Sequence, residues 1–127
     1  MPEPGAATAV LLEDLASQGE IPLLHNMSGT IRVDLIDGGR TTHWYLTIDR
    51  GTVAVSHRNA RADAVIHSSV ELFDKLATGR ANATASMLRG ILGVEGNLGL
   101  MSGLERVLPG PPRSRATYLE RQKEAAR

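Results

Sequence analysis

Gly29–Ser56, GTIRVDLIDGGRTTHWYLTIDRGTVAVS, reads as three short strands joined by two glycine-containing turns. Ile31, Val33 and Leu35 alternate with Arg32, Asp34 and Ile36; after Asp37-Gly38-Gly39, Trp44, Leu46 and Ile48 alternate with Tyr45, Thr47 and Asp49. After Asp49-Arg50-Gly51 come Val53 and Val55 against Ala54 and Ser56. A period of two kept through a whole meander is the signature of a half-buried sheet, with one apolar face and one wet face. The rest of the chain has to cover the apolar face.

Outward from this meander the pattern turns helical. Upstream, Ala6 to Ser17 carries Val10, Leu11, Leu12 and Leu15 with Glu13 and Asp14 toward water, and Gly19 ends it. Pro22 suits the first position of a short helical turn in Ile21-Pro22-Leu23-Leu24. Downstream, His57 to Ala62 is polar and turn-like, and Asp63 to His67 is a fourth strand with Ala64 and Ile66 on one face and Val65 and His67 on the other, a pattern that leaves open which face is core. Ser68-Ser69-Val70-Glu71 matches a capping box, opening a helix with Val70, Leu72, Phe73, Leu76 and Ala77 that Gly79 stops. Asn82 caps a further helix, Ala83 to about Arg89; Ile91 to Glu95 gives a fifth strand. Asn97 caps a last helix, Leu98 to Leu108, ended by Pro109, Pro111 and Pro112. Strands grouped together and helices grouped together indicate an α+β domain: an antiparallel sheet of about five strands with helices packed on one face. Residues 1–5 read as a flexible leader, 6–112 as one domain and 113–127 as a basic, helical C-terminal tail.

Composition bounds the function. The 127 residues make one domain, long enough for a core without staples, and the absence of cysteine removes disulfides, thiolate metal sites and cysteine nucleophiles. No basic-then-apolar leader and no apolar run near the roughly 20 residues of a membrane span occur, so the expectation is a soluble, cytoplasmic protein. Fourteen basic and 14 acidic residues balance, which argues against nucleic acid, as does the scarcity of aromatics. Arg113, Arg115, Arg121, Lys123 and Arg127 crowd the C-terminus, as a solvated helix or as a transient contact with an anionic membrane. Arginine outnumbers lysine, which together with abundant alanine and glycine suggests a G+C-rich bacterial genome.

The helical half is rich in Met87, Met101 and glycines 90, 93, 96, 99 and 103. Methionine adapts to irregular apolar partners and glycine weakens helices, so the last helix reads as a cover that can loosen, or as one packed closely on the sheet. Four histidines, His25, His43, His57 and His67, stand at no metal-binding spacing and beside no carboxylate in a recognised motif. The expectation is no enzyme, no catalytic residue, no metal and no cofactor.

Several short motifs, taken in order, carry a resemblance. They are Gly29-Thr30-Ile31-Arg32-Val33-Asp34-Leu35, His43-Trp44-Tyr45-Leu46-Thr47-Ile48, Asp49-Arg50-Gly51-Thr52-Val53-Ala54-Val55, Ala62-Asp63, and Leu72-Phe73 to Leu76-Ala77-Thr78-Gly79. Leu88-Arg89-Gly90-Ile91-Leu92 and Val94-Glu95-Gly96-Asn97 follow, before an apolar helix. Over about residues 8–112 the chain resembles the sterol carrier protein family, here as a small stand-alone member. The resemblance implies an apolar tunnel between sheet and helices that binds and transfers a fatty acid, acyl chain or sterol-like ligand without catalysis. Three departures stand out: Val10-Leu11-Leu12 where aromatics are expected, Asn97 for a frequent Asp, and Glu124-Ala125-Ala126-Arg127 in place of a peroxisomal address. Bacterial membranes usually lack sterols, which favours acyl ligands.

The residues expected to line the tunnel are Ile31, Val33, Leu35, Trp44, Leu46 and Ile48 from the sheet. From the helices they are Leu72, Phe73, Leu76, Met87, Leu88, Leu100, Met101 and Leu104. Burying an acyl chain of about 16 carbons contributes roughly 13 kcal/mol gross at ~0.8 per methylene, against an association cost of about 4 to 15 kcal/mol, so micromolar affinity follows. Such a ligand needs a pocket of about 300 Å³ or more. The alternative is a protein–protein interaction or homo-oligomerisation module using the same apolar surface.

Overall fold

The computed structural model describes residues 3–109. The basic segment 113–127 lies outside the described residues. Along the chain come α1 (Ala6–Ser17), a 3₁₀ turn (Pro22–Leu24), β1 (Ser28–Asp37), β2 (Arg40–Asp49), β3 (Thr52–Ser56), β4 (Ala64–Ser69), α2 (Val70–Ala77), α3 (Ala83–Leu88), β5 (Gly93–Gly96) and α4 (Leu98–Val107).

The meander folds as its period demands. β1 and β2 pair antiparallel from Ser28↔Asp49 to Asp37↔Arg40, and β2 and β3 from Tyr45↔Ser56 to Asp49↔Thr52. The second hairpin turns through Arg50 (φ 48°) and Gly51 (φ 94°). Two left-handed residues in a two-residue loop match the right-handed twist of the flanking strands. Ile31, Val33, Leu35, Trp44, Leu46, Ile48 and Val53 are all buried on one face.

The sheet order is β3-β2-β1-β4-β5. It is mixed rather than wholly antiparallel, because β4 lies parallel to β1 in the register Ile31↔Ala64 to Ile36↔Ser69. The link 57–63 crosses the polar face, so β4 enters on the far side of β1 running in the same direction as β1 and β3. Arg32 Nη1 donates to the Ala60 carbonyl (3.1 Å) and Tyr45 OH to the Arg61 carbonyl (2.8 Å), holding that link down. The link buries Tyr45 although its side chain faces away from the helices. The ambiguity in β4 resolves the same way: Ala64, Ile66 and Ser68 are buried, while Val65 and His67 are half-buried.

The helices cover the apolar face, α1 over β3, α2 over β1 and β4, and α4 over β1, β4 and β5. α2 starts one residue later than the capping box predicts. Ser68 is still in β4, and Ser69 Oγ accepts from Leu72 N (3.1 Å), so Glu71 has no cap partner at the third position. β5 begins at Gly93 because Ile91 and Leu92 still bond back to Ser86 in the turn that closes α3. α1 has no side-chain cap of its own. Asp74 of α2 supplies one, accepting from Gly5 N (2.8 Å), Thr8 N (3.1 Å) and Thr8 Oγ1 (2.7 Å). A carboxylate at a helix N-terminus meets both the free amides and the positive end of the dipole, and here it also fixes α1 on α2.

Candidate functional site

Of the residues expected to face a ligand, Ile31, Val33, Leu35, Trp44, Leu46, Ile48, Phe73, Leu76, Leu100, Met101 and Leu104 belong to one buried apolar cluster, with Leu72 and Met87 packed against it. Their side chains lie between the sheet and the helices. Leu88 does not join them. It is 84% exposed, because α3 ends there and the chain turns back on Ser86 before its side chain can reach the sheet.

Gly103 of α4 acts by close approach. A Cβ at Gly103 would overlap Met27 Sδ, so this position lets the chain after the 3₁₀ turn pack against the helix backbone. Asn97 Oδ1 caps α4 by accepting from Gly99 N (2.9 Å) and Leu100 N (3.3 Å).

The described openings lie between helical elements. One, of about 430 Å³, runs along α1 and the end of α2, lined by Ala6, Ala7, Val10, Leu11, Asp14, Ala77 and Thr78. A second, of about 490 Å³, lies where the end of α1, the 3₁₀ turn and the end of α4 meet. Its walls are Leu15, Ile21, Pro22, Leu23, Val107, Leu108 and Pro109, with Gln18 and Arg106 its polar groups. Leu15, Ile21 and Leu108 are members of the buried cluster, so the floor of this groove is the core itself. Arg106 is the one charged side chain among the described lining residues of this groove. Sequence reasoning did not find this mouth. Leu15, Ile21, Arg106, Val107 and Leu108 come from three segments, and only their adjacency in space makes a site.

A polar cluster also emerges on the opposite face of the sheet. The registers Asp34↔His43 and Asp34↔His67 bring two histidines to one carboxylate across neighbouring strands. Asp34 accepts from Arg32 Nε (2.9 Å) and Nη2 (3.1 Å), His43 Nδ1 lies 2.7 Å away, and His67 Nδ1 lies 3.6 Å away. Burial pushes the Asp34 carboxyl up, but hydrogen bonds and charge from Arg32 and His43 more than offset this and hold it below the usual carboxylate range. The sequence gives no sign of the pairing, since the partners meet only through strand register. The cluster pins the centre of the sheet and touches no residue of either groove.

Among the described residues no group of three or more His, Cys, Asp or Glu is placed to hold a metal ion, and no helix is long and apolar enough to cross a membrane.

Residues 10–109 match the model of the SCP-2 sterol transfer family. No curated protein matches the chain. Among solved structures, the chain is similar to apo sterol carrier protein 2 from Yarrowia lipolytica, at 22% identity and TM-score 0.66, over 84% of this chain and 92% of that one. It is also similar to sterol carrier protein 2 from Aedes aegypti in complex with the C16 fatty acid palmitate, at 18% identity and TM-score 0.63, over 85% of this chain and 99% of that one. At such identities these likenesses show the shared fold alone.

Proposed function

Since the chain belongs to the SCP-2 sterol transfer family, we propose that it binds and transfers a single-chain lipid, a fatty acid or acyl chain, without catalysing a reaction. The observation that carries this reading is the groove of about 490 Å³ whose floor is the apolar core and whose polar lining includes Arg106. The acyl chain lies along Leu15, Ile21, Val107 and Leu108, and its carboxylate faces Arg106. Deeper entry is made by shifting the end of α4, so that Met101 and Leu104 give way and the chain reaches the sheet at Leu46 and Ile48. Methionine suits such a wall because its thioether and three rotatable bonds repack at low cost. The α1–α2 groove is the weaker candidate, because its one charged lining residue is Asp14, which would repel an anionic head.

The test is displacement of a fluorescent fatty acid. Val107→Trp, placed in the trough at a half-buried position, is expected to weaken binding at least about tenfold, since it takes the space of several methylenes at ~0.8 kcal/mol each. Arg106→Glu is expected to weaken palmitate binding while leaving binding of the matching fatty alcohol nearly unchanged. Wild-type affinity in both variants would rule the groove out.

A further inference from the structure

β5 (Gly93–Gly96) is the shortest strand of the sheet and one of its edges, paired with β4 alone from Ala64↔Gly96 to His67↔Gly93. It is also the root of α4: Gly96 takes φ 89°, Asn97 N donates to the Asp63 carbonyl (2.9 Å), and Asn97 then caps the helix. A short edge strand opens locally before the sheet unfolds, so a side-chain tie across it counts. His67 of β4 is placed as that tie. On the polar face its Nδ1 lies 3.6 Å from Asp34 Oδ2 of β1, and its Nε2 lies 3.7 Å from Glu95 Oε1 of β5. Both separations are within reach of an ion pair and too long for a hydrogen bond. Carboxylates only accept, and a neutral imidazole has one N–H, so it serves one of the two and turns a lone pair on the other. The imidazolium has an N–H for each. The two carboxylates differ in what else faces them. Asp34 already takes Arg32 Nε (2.9 Å) and Nη2 (3.1 Å), with His43 Nδ1 at 2.7 Å. Glu95, among the described residues, has no cation but His67 within ion-pair distance.

We propose that His67 is a pH-operated clasp: on taking up a proton the imidazole closes on Asp34 and Glu95 together and draws β5, with the start of α4, onto the centre of the sheet. Histidine is the side chain that changes charge between about pH 5 and 8, so mild acid closes the clasp and mild base releases it. Asp34 stays an anion through that interval: burial pushes its carboxyl up, but Arg32 and His43 hold it below the usual carboxylate range. The sign is set at Glu95. On the Asp34 side the imidazolium joins Arg32 and His43 around a carboxylate already matched, whereas on the β5 side it meets one that nothing else matches. His43 also faces Asp34, but from β2, and cannot hold β5. The clasp belongs to the chain without ligand. It bears on the carrier reading only through α4, whose end lines the groove, and does not depend on it.

The experiment is residue-resolved amide exchange on the full chain without lipid, at about pH 5.5 and about pH 7.5, either side of the histidine range, with rates corrected for the intrinsic effect of pH. Protection over Gly93–Gly96 is expected to be about twofold to fivefold higher at the acid pH, the size of one partly exposed ion pair. The rise should shrink as salt is added. The β2–β3 pairing, on the other side of β1, is the internal reference and should not follow it. Glu95→Gln, at a side chain 73% exposed, removes the outer carboxylate without disturbing the core. It should abolish the rise or reverse it, because the imidazolium then only crowds Arg32 and His43. His67→Gln should leave β5 protection flat with pH. Equal or lower protection of wild-type β5 at the acid pH would overturn the proposal. So would an acid rise that persists in Glu95→Gln, which would assign it to Asp34 and His43, or a rise of the same size in β3. Fatty-acid uptake is read separately: its failure would sink the carrier reading and leave the exchange result as it stands.

Discussion

Asp34 shows how much a single position can depend on neighbours the sequence does not display. Its carboxylate lies on the polar side of the sheet with Arg32 and two histidines converging on it. Removing one member of a buried charged group leaves the others unmatched, so Asp34→Asn is expected to cost about 2 kcal/mol in a denaturant titration at neutral pH. The sign with pH follows from the lowered pKa: the contribution is present above the ordinary carboxylate value and is lost as pH falls through the lower folded value. The acid limb of the stability curve should therefore be shallower in Asp34→Asn. An identical limb in the variant would remove Asp34 from the account. Gly96 makes the backbone counterpart. It holds φ 89° and a Cβ there would overlap the Asp63 carbonyl oxygen, a fixed backbone atom. Gly96→Ala is expected to cost about 1–3 kcal/mol, read as a fall in melting temperature, although alanine usually favours order.

At the scale of elements, what was legible divides by distance along the chain. The meander was readable because alternation is local: Ile31, Val33 and Leu35 declare their face without reference to any partner, and the Asp49-Arg50-Gly51 turn fixes the register of β2 on β3. Helix starts at Asn82 and Asn97 were readable for the same reason, each side chain bonding an amide two or three residues on. The parallel entry of β4, the capping of α1 by Asp74 and the exposure of Leu88 were not. Each is decided by a partner remote in sequence or by where a turn aims the chain. The shift of the α2 cap from Ser68 to Ser69 belongs here too, because pairing with β1 through Ser69 competes with helix initiation and wins. Two predictions follow from the caps. Asp74→Ala should cost about 1–2 kcal/mol and speed amide exchange in the first turn of α1, although the substituted residue is in α2. Asn97→Ala should cost about 1 kcal/mol and speed exchange in α4 while leaving β1 and β2 protected, which hydrogen exchange by mass spectrometry resolves segment by segment.

For the whole molecule, the question is which side of the apolar interior can yield to a lipid. The sheet side of the interior is fixed by hairpins, by the Asp34 cluster and by the link 57–63, none of which can yield without breaking strand pairing. The helical side is joined by fewer constraints: α4 is only 10 residues long and meets the sheet through side-chain packing, not strand pairing. A ligand that enters under α4 therefore exchanges protein–protein apolar contact for protein–lipid contact of similar kind, and the net gain comes from the lipid's own removal from water. Binding of this sort has to stabilise the folded state by mass action. Palmitate at about 100 times its dissociation constant is expected to add about 2.7 kcal/mol to the unfolding free energy, raising the melting temperature, with Val107→Trp showing little or no rise. α4 should become more protected from exchange as ligand is added if the lipid replaces the contacts it displaces, and the strands should not change. A ligand-induced rise in melting temperature that survives Val107→Trp would place the lipid elsewhere, in the α1–α2 groove, where Val10→Asp becomes the decisive variant.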